Sequence, residues 1–307
     1  MEQVYVGRSG LKVSAVGLGC NNFGSFVDAD GAKAVVRKAL DLGVNFFDTA
    51  DFYGLGVSEE MLGAALVGQR EKAVIITKFG LPMTGGGRDT SRGYVLRAVE
   101  ASLKRLQTDY IDLYMLHMPD GRTPMDELLR ALDDIITQGK ARYIAVSNLA
   151  PWQIVEASWI AKELRTHHFI GSESEYSLLV RAPEKELLPA LKAYGVGLIP
   201  YFPLASGMLT GKYQTGGKGR LTAPDPFLAN RFMTERNLEI VRKLNVFATE
   251  RGHSLLELAM SWLACQDGVT GIIAGATKPE QVEANANAVS WKLTPEELAE
   301  VDKLTAG

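Results

Sequence analysis

The chain has 307 residues, of which 46% are hydrophobic and 22% charged, and this ordinary globular composition excludes the disordered, collagen-like and coiled-coil classes. Thirty-three Lys and Arg stand against 36 Asp and Glu, and the formal charge of −3 lacks the basic excess that nucleic-acid binding needs. No apolar stretch approaches the ~18 residues of a membrane span, and the first residues do not resemble a signal or transit peptide. The sequence therefore predicts a cytoplasmic protein without nucleic-acid or membrane partners.

The cysteines and histidines exclude two further kinds of protein. Cys20 and Cys265 form no CxxC motif and cannot build a disulfide framework. The four histidines show no HExxH motif and no spacing that suits zinc. We therefore expect neither a disulfide-stabilised secreted fold nor a metal site.

Eight short β-branched or aromatic runs alternate along the chain with stretches of helical period. The predicted strands are 15–19, 44–49, 73–78, 111–117, 143–147, 169–173, 196–201 and 271–275, and the predicted helices include 30–42, 91–106, 123–138, 151–164 and 182–194. Several strands are apolar at nearly every position, which is typical of strands buried on both faces of a parallel sheet. Eight such units predict an α/β fold, a single (β/α)8 or TIM barrel domain over residues 1–307.

Two segments depart from this repeat. Residues 4–6 and 8–13 predict an N-terminal β-hairpin that turns at Ser9-Gly10 and closes the bottom of the barrel. Residues 211–232 are rich in turn formers, including Pro224-Asp225-Pro226, and follow the seventh predicted strand. They predict a mobile loop at the carboxyl-terminal rim, where barrel loops carry function, with a merely tolerated insertion as the alternative.

Polar side chains end three of the predicted strands or follow them closely. Asp48 ends the second strand and precedes Tyr53, while Lys78 and His117 end the third and fourth strands. Because the carboxyl ends of barrel strands meet at one rim, these four side chains are expected to lie together. Each alone also has a structural explanation, as a helix cap, a loop aromatic, a rim charge or a buried polar group.

Together, the four residue types suit the reduction of a carbonyl group. A phenol has a pKa of about 10, and a neighbouring ammonium lowers that pKa because it stabilises the phenolate. Lys78 is expected to act on Tyr53 in this way, and Asp48 to keep Lys78 charged. His117 is expected to donate a hydrogen bond to the substrate oxygen and so orient it. The predicted product is a general acid beside a carbonyl oxygen.

On these and further motifs, the chain resembles the aldo-keto reductases along nearly its whole length, as a bacterial member related to the branch of the potassium-channel β subunits. The motifs are Gly17-Leu18-Gly19, Phe47-Asp48-Thr49-Ala50 with Tyr53-Gly54, Thr77-Lys78, Leu116-His117, Val146-Ser147-Asn148, Glu175-Tyr176-Ser177, Pro203-Leu204 with Gly207, Gly211-Lys212-Tyr213, and Gly275-Ala276-Thr277 with Asn285. The resemblance implies a (β/α)8 barrel that reduces aldehydes or ketones with NADPH, less often NADH, and without a metal. By the family's pattern, the catalytic residues are Asp48, Tyr53, Lys78 and His117, with Tyr53 as the proton donor.

The resemblance also implies where the cofactor lies, since the chain has neither a GxGxxG motif nor a Walker loop. Ser147 and Asn148 are expected to bind the nicotinamide carboxamide, and Tyr201 to stack beneath the ring, unless it is a core residue. Ser206 and Gly207 are expected to let backbone approach the pyrophosphate. The whole predicted cofactor set is Gly19, Ser147, Asn148, Glu173, Tyr201, Leu204, Ser206, Gly207, Gly275, Thr277, Lys278, Gln281 and Asn285.

Three positions depart from the family's pattern. Glu173 stands where the family often has Gln, and a carboxylate accepts hydrogen bonds from an amide but cannot donate them. Gln281 and Gly275 stand where other NADPH-preferring members have Arg or Lys, which removes charges that would bind a 2′-phosphate. Lys278 supplies an added cation at a helix N-terminus, which itself favours an anion. NADPH is therefore the expected cofactor, with NADH as the alternative.

The substrate pocket is expected to take its walls from the loops that follow the strands. Its predicted residues are Cys20, Asn21, Phe23, Phe52, Phe79 and Met118, beside Tyr53 and the loop 211–232. This wall is aromatic with few charges, which favours a small or medium aldehyde, ketone or sugar-like hydroxy-carbonyl. Arg220 or Arg231 would serve a charged substrate.

Three other functions stay open from the sequence. A regulatory protein that binds NADPH as a redox signal would show little turnover, although the start of the chain close to the barrel favours an enzyme. A Schiff-base aldolase with Lys78 as nucleophile needs a neutral amine, and Asp48 argues against one. A sugar or alcohol dehydrogenase would use the same site in the reverse direction.

Overall fold

A computed structural model describes residues 1–83, 85–222 and 226–306. The strands in these residues are β1 (Gln3–Tyr5), β2 (Lys12–Ser14), β3 (Val16–Gly19), β4 (Phe46–Asp48), β5 (Val74–Phe79), β6 (Ile111–Leu116), β7 (Ala141–Ser147), β8 (Phe169–Glu175), β9 (Gly197–Tyr201) and β10 (Ile272–Gly275). Strands β3 to β10 form one parallel sheet in chain order, with β10 paired to β3. Backbone hydrogen bonds join Leu198 of β9 to Gly268 and Thr270, just before β10. The predicted (β/α)8 barrel is confirmed, nearly closed, and each predicted strand overlaps an observed one.

Helices follow the strands and pack around the outside of the barrel. They are α1 (Ala29–Asp41), α2 (Val57–Ala65), α3 (Arg92–Leu106), α4 (Met125–Thr137), α5 (Pro151–Leu164), α6 (Leu187–Tyr194), α7 (Pro226–Phe232), α8 (Glu235–Glu250), α9 (Leu255–Ala264), α10 (Pro279–Asn287) and α11 (Pro295–Thr305). The helix predicted over 182–194 is divided into a short 3-10 turn, Ala182–Glu184, and α6. Pro189 explains the break, because proline lacks an N–H and is tolerated only in the first turn of a helix.

The N-terminal hairpin is present and closes the amino-terminal end of the barrel. β1 and β2 pair antiparallel, with Gln3 opposite Ser14, and the connection between them is longer than the predicted Ser9-Gly10 turn. The hairpin's buried side chains join those of the barrel interior in one inner core: Val6, Leu11, Val13, Phe46, Ile76, Leu113, Met115, Ala145, Ile170, Ile199 and Ile273. A second apolar core lies between the sheet and the helices.

Side chains alternate along each strand between this inner core and the outer one. The inner core holds Phe46, Ile76, Met115, Ala145 and Ile199. The residues two positions later along the chain are Asp48, Lys78, His117, Ser147 and Tyr201. The two-residue period of the strands therefore places these polar side chains on the inner face, directly above an apolar core.

The predicted loop 211–232 contains more local structure than expected. It comprises the 3-10 turns Lys212–Thr215 and Arg220–Thr222, and then α7. Residues 223–225, which include Pro224 and Asp225 of the predicted turn, lie outside the described residues. The mobility of this segment stays a prediction.

Candidate active site

A cavity of about 830 Å³ opens at the carboxyl-terminal ends of the strands. Its wall contains most of the side chains predicted for the site: Asp48, Tyr53 and His117; Gly19, Ser147, Asn148, Glu173, Tyr201, Leu204, Ser206, Gly207, Gly275, Thr277, Gln281 and Asn285; and Asn21. The predicted Lys78 is completely buried and is not itself part of the wall, but its ammonium donates hydrogen bonds to the wall residues Asp48 and Tyr53. The volume is in the usual range for a small-molecule or cofactor site.

The ammonium of Lys78 connects three polar side chains. It pairs with Asp48, lies 3.3 Å from Oε2 of Glu173 and donates to the hydroxyl of Tyr53 at 3.5 Å. Burial lowers the pKa of this ammonium, but the charges of Asp48 and Glu173 more than offset that effect and hold the pKa above its ordinary value. Lys78 is therefore a cation at neutral pH, as the sequence predicts.

Tyr53 is held by a strained turn directly after β4. The 3-10 turn Tyr53–Gly56 contains two left-handed residues, Gly54 with φ 60° and Leu55 with φ 54°. Leu55 is the unusual one, because a side chain disfavours that conformation. The strained backbone brings the phenol beside the end of β6, where its ring meets that of His117 edge to face at 5.7 Å.

The pKa of Tyr53 depends on burial as well as on Lys78. Burial raises it above its ordinary value, Lys78 lowers it, and the negative charges of Asp48 and Glu173 raise it again. Lys78 therefore acts in the direction that the sequence predicts, but burial outweighs the ammonium and the net pKa of Tyr53 is raised. The phenol keeps its proton at neutral pH, which is the state a proton donor needs.

His117 is a neutral imidazole in this site. Burial and the charge of Lys78 lower the pKa of His117 to about 3. Its Nδ1 is buried and has no hydrogen-bond partner among the described residues. A neutral imidazole carries one N–H donor, so His117 can orient a substrate oxygen by a hydrogen bond.

Glu173 differs most from its expected state. It lies on β8 with only 3% of its surface exposed. Burial and the charge of Asp48 raise the pKa of Glu173 to about 8, while Lys78 lowers it. At neutral pH the group is therefore mainly the protonated acid, which can donate one hydrogen bond. This state corrects the expectation of a carboxylate that cannot donate.

The residues expected at the nicotinamide carboxamide form one hydrogen-bonded chain. Tyr201 donates from its hydroxyl to Oδ1 of Asn148 at 2.9 Å, and Asn148 donates from Nδ2 to Oγ of Ser147 at 2.8 Å. Ser147 in turn donates to the backbone carbonyl of Glu173 at 3.2 Å. The chain fixes all three side chains at the top of β7 and β9.

The loop after β9 forms a cradle in the middle of the cavity. Ser206 and Gly207 both have left-handed backbone, with φ of 56° and 93°. The hydroxyl oxygen of Ser206 is buried without a hydrogen-bond partner in the described residues. A Cβ on Gly207 would lie 3.0 Å from Cε of Lys212, so any side chain here would fill the cradle.

Three cationic residues lie on the cavity wall but are not in the predicted cofactor set. They are Lys212, Lys218 and Arg220. All lie in the segment after β9, where no hydrophobic period links a residue to a strand end. Arg220 is expected only at a charged substrate and Lys212 enters only as part of a family motif, and Lys218 is not singled out in the sequence. Lys278, which the sequence does assign to the cofactor, is exposed at the start of α10 and does not lie on this wall.

At the far end of the cavity, polar side chains organise the start of α10. Gln281 accepts hydrogen bonds from the backbone N–H and the hydroxyl of Thr277, at 2.7 and 3.1 Å. Asn285 donates to the backbone carbonyl of Gly275 at 3.4 Å. The residues predicted for the adenosine end are therefore brought together.

Of the six residues predicted for the substrate wall, Asn21 alone is on the wall of this cavity, and the substrate role of all six stays a prediction. Cys20, Phe23 and Phe79 are completely buried, and neither Phe52 nor Met118 lies on the cavity wall. Strand alternation explains why Phe79 is absent from the cavity wall. Phe79 follows the inward-facing Lys78, so its side chain faces the helices. There its ring stacks on that of Tyr114, 4.6 Å away.

The aromatic wall comes instead from two loops that meet over the cavity. Phe26 follows β3, Phe202 follows β9, and the guanidinium of Arg220 lies 5.9 Å from each ring centre. Arg220 also donates to Oδ1 of Asn22 at 2.6 Å. The other arginine considered for a charged substrate, Arg231, pairs with Glu175 at 2.6 Å. Phe26 is three residues from the predicted Phe23. The sequence therefore indicates the loop that supplies an aromatic ring to the cavity wall, but not the residue within it.

Two kinds of feature are absent from the described residues. None of their helices is both long and apolar enough to cross a membrane. No three His, Cys, Asp or Glu side chains within this part of the chain come together as a metal-ion site.

Comparison with known proteins identifies the family. The model of the aldo/keto reductase family matches residues 15–306. The chain is 39% identical to a probable voltage-gated potassium channel subunit beta from Oryza sativa, over 100% of this chain and 96% of that protein. It is 36% identical to the L-glyceraldehyde 3-phosphate reductase of Escherichia coli K12, over 99% and 92% of the two chains. It is 34% identical to the versiconal hemiacetal acetate reductase of Aspergillus parasiticus, over 97% and 95%.

These relatives come from a plant, a bacterium and a fungus, so the expected bacterial source stays a prediction. The match covers the whole barrel and includes every strand that contributes to the cavity. The chain is an oxidoreductase that belongs to the aldo/keto reductase family.

Proposed function

We propose that the protein reduces aldehydes or ketones to alcohols with NADPH, reversibly, and that Tyr53 is the general acid. One observation carries the proposal: the phenol of Tyr53 lines the cavity within 3.5 Å of the buried Lys78 ammonium and beside the neutral His117. A proton donor, a cation that stabilises its anion and a neutral hydrogen-bond donor thus share one cavity wall. This combination suits proton transfer to a carbonyl oxygen.

Each of the four side chains has a distinct part in the reaction. The bound cofactor supplies the hydride that the carbonyl carbon receives. His117 donates a hydrogen bond that holds the carbonyl oxygen near Tyr53, and the phenol gives its proton to that oxygen. Lys78 stabilises the phenolate that remains. Asp48 holds Lys78 in place and keeps it charged.

The cavity fits a nicotinamide dinucleotide along its length. Ser147, Asn148 and Tyr201 present polar atoms beside the catalytic residues. The hydroxyl of Ser206, which is buried without a hydrogen-bond partner in the described part of the chain, and the left-handed backbone of Gly207 suit the pyrophosphate. The remaining members of the set, Gly19, Glu173, Leu204, Gly275, Thr277, Gln281 and Asn285, complete the wall.

We favour NADPH over NADH because several cations lie on or near the cavity wall, where they would attract the additional phosphate of NADPH. Lys212, Lys218 and Arg220 line the wall, and Lys278 is exposed at the start of α10. These charges offset the absence of Arg or Lys at Gln281 and Gly275. NADH stays the alternative, since the wall offers no arginine at either of those two positions.

A small or medium aldehyde, ketone or sugar-like hydroxy-carbonyl is the proposed substrate. The aromatic rings of Phe26 and Phe202 suit an apolar part, while Arg220 and Asn22 suit an oxygen-rich or anionic part. The names of two relatives, a glyceraldehyde phosphate reductase and a hemiacetal reductase, support this class. With the same residues, the protein can oxidise a sugar or alcohol when the cofactor ratio favours that direction.

A second candidate function is redox sensing by bound NADPH with little turnover. The 39% identity to a protein named as a potassium channel subunit favours it. The aldolase alternative loses support, because Lys78 is held as a cation and a Schiff base needs a neutral amine. The cytoplasmic location stays a prediction.

The experiment measures cofactor binding and turnover in parallel. Binding of NADPH and NADH is followed by protein fluorescence, and turnover by loss of nicotinamide absorbance with a panel of aldehydes, ketones, hydroxy-carbonyls and a phosphorylated sugar aldehyde. We expect NADPH to bind more tightly and to be oxidised by at least one class of carbonyl. Tight binding without turnover on the whole panel would favour the sensor, and no binding of either cofactor would overturn both functions.

A further inference from the structure

Two carboxyl groups share the single ammonium at the centre of the site. Asp48 on β4 and Glu173 on β8 each have 3% of their surface exposed, and Lys78 on β5 has none. The Lys78 ammonium pairs with Asp48 and lies 3.3 Å from Oε2 of Glu173, so both carboxyl groups meet at the same cation. Two carboxylates that share one buried ammonium leave one negative charge in excess unless one of them keeps its proton.

The groups around Glu173 cannot balance a second negative charge. The ionisable groups that face it are Asp48, Lys78, Tyr53 after β4, His117 after β6, and Tyr201 on β9. Tyr53, Tyr201 and His117 are neutral at neutral pH, so Lys78 is the one cation in this set of five. Full ionisation would therefore bury one uncompensated negative charge, which costs several kcal/mol.

The next carboxylate along β8 is already compensated. Glu175 pairs with Arg231 at 2.6 Å, on the side of the strand end where α7 lies. Arg231 is therefore engaged and does not neutralise Glu173. The excess negative charge is therefore neutralised by a proton, which Asp48 and Glu173 share.

The shared proton bears directly on Tyr53. A charged Glu173 would attract the Lys78 ammonium away from the phenol and would add its own repulsion to a phenolate. A protonated Glu173 does neither, so the positive charge of Lys78 acts on Tyr53 with only Asp48 opposed to it. Protonation of Glu173 thus favours proton donation by the phenol.

We propose that Glu173 is a positioning residue of the reductase site, which shares one proton with Asp48 at neutral pH and slows proton donation by Tyr53 when it ionises. The effect on turnover rests on the proposed carbonyl reduction, whereas the shared proton does not. On ionisation, the proton leaves Glu173 for solvent and the carboxylate stays beside Lys78. No covalent bond to substrate or cofactor is made or broken by Glu173.

The first test observes the proton itself, without cofactor or substrate. Infrared difference spectra between acid and alkaline pH are recorded for the wild type and for Glu173→Gln, both in an Asp51→Asn background. That background removes the band of another buried carboxyl, since burial raises the pKa of Asp51 to about 7. We expect a protonated-carboxyl C=O band with a midpoint near pH 8 that is absent from Glu173→Gln.

Absence of that band at neutral pH, or its persistence in Glu173→Gln, would overturn the shared proton. If Glu173→Gln fails to fold, the midpoint of the band in the protein with Glu173 decides the question by itself. Because no turnover is measured, this result stands or falls separately from the proposed function.

The second test follows kcat and KM across pH for the wild type, Glu173→Gln and the control Glu175→Gln. We expect the wild-type kcat to fall by about tenfold or more from neutral to strongly alkaline pH, with KM for the carbonyl little changed. Glu173→Gln should lose this decline, because glutamine stays neutral, whereas Glu175→Gln should retain it. The same alkaline decline in all three proteins would contradict the proposed role of Glu173.

Discussion

At the residue scale, burial decides the protonation of the site more than any single neighbour does. Tyr53 lies beside a cation, yet burial and two carboxyl groups raise its pKa. His117 lies beside the same cation, and there burial and charge act together to lower its pKa to about 3. The residue types at the strand ends predict which groups meet, but these protonation states depend on exposed area and on contacts across the barrel. A linear sequence contains neither quantity.

A second buried polar cluster lies just outside the barrel wall, behind Tyr53. Asp51 is 1% exposed, and its Oδ1 has no hydrogen-bond partner among the described residues. Glu59, close by, accepts hydrogen bonds from Thr77 at 2.5 Å and from Arg105 at 2.6 Å. Burial and the charge of Glu59 raise the pKa of Asp51 from 3.8 to about 7, although Arg105 lowers it.

Asp51→Asn should change how stability depends on pH. In the unfolded chain Asp51 loses its proton near its ordinary pKa of 3.8, whereas the folded protein retains the proton up to about pH 7. The wild type should therefore lose stability, relative to the variant, as pH rises through this window, by up to about 4 kcal/mol. Denaturant unfolding of both proteins across the window measures this difference. A difference that does not vary with pH would contradict the assignment.

At the scale of elements, strand alternation explains both the successes and the failures of the sequence prediction. The inward positions of β4 to β7 carry an apolar residue and then, two positions later, a polar one at the cavity. Asp48, His117 and Ser147 follow this rule and were predicted. Phe79 was placed on the cavity wall because it follows a strand-end lysine, although one residue further along the strand faces the other side.

The contact between the N-terminal hairpin and the barrel can be tested at a single glycine. Gly7 has φ +53°, and a Cβ there would lie 2.6 Å from the carbonyl oxygen of Gly195 and 2.8 Å from the backbone nitrogen of Gly197. These atoms belong to the backbone and cannot rotate away. The hairpin therefore depends on the absence of a side chain at this position.

Gly7→Ala should destabilise the protein more than Gly68→Ala. Gly68 also has a left-handed φ, of +74°, but no atom lies within 4 Å of the position that a Cβ would take there. The control therefore measures backbone strain alone, about 1 kcal/mol, whereas Gly7→Ala adds a backbone clash and should cost about 3 kcal/mol or more. Free energies of unfolding measure both. Equal costs would show that the hairpin is not packed tightly against the start of β9.

At the scale of the whole molecule, the barrel and the order of its strands were predictable because eight buried runs alternate with helical stretches. The four residues Asp48, Tyr53, Lys78 and His117 were predictable because three strand ends converge at one rim. The positions of Lys212 and Lys218 on the cavity wall were not, since both residues reach the cavity through irregular backbone after β9, whereas Arg220 was considered only for a charged substrate. The single domain over residues 1–307 and the mobility of the loop 211–232 stay predictions.

The central claim is that one hydroxyl supplies the proton for carbonyl reduction. Tyr53→Phe removes that hydroxyl and keeps the ring that meets His117, so cofactor binding should be preserved. Tyr194→Phe, on the outer helix α6, removes a hydroxyl that accepts from Trp159 at 3.0 Å far from the chemistry, and serves as the control.

The most direct measurement compares kcat and the NADPH dissociation constant of these two variants with those of the wild type. We predict that Tyr53→Phe lowers kcat by about 10² to 10⁴, with NADPH binding unchanged within about threefold, and that Tyr194→Phe changes neither quantity. Turnover by Tyr53→Phe at the wild-type rate would contradict the account.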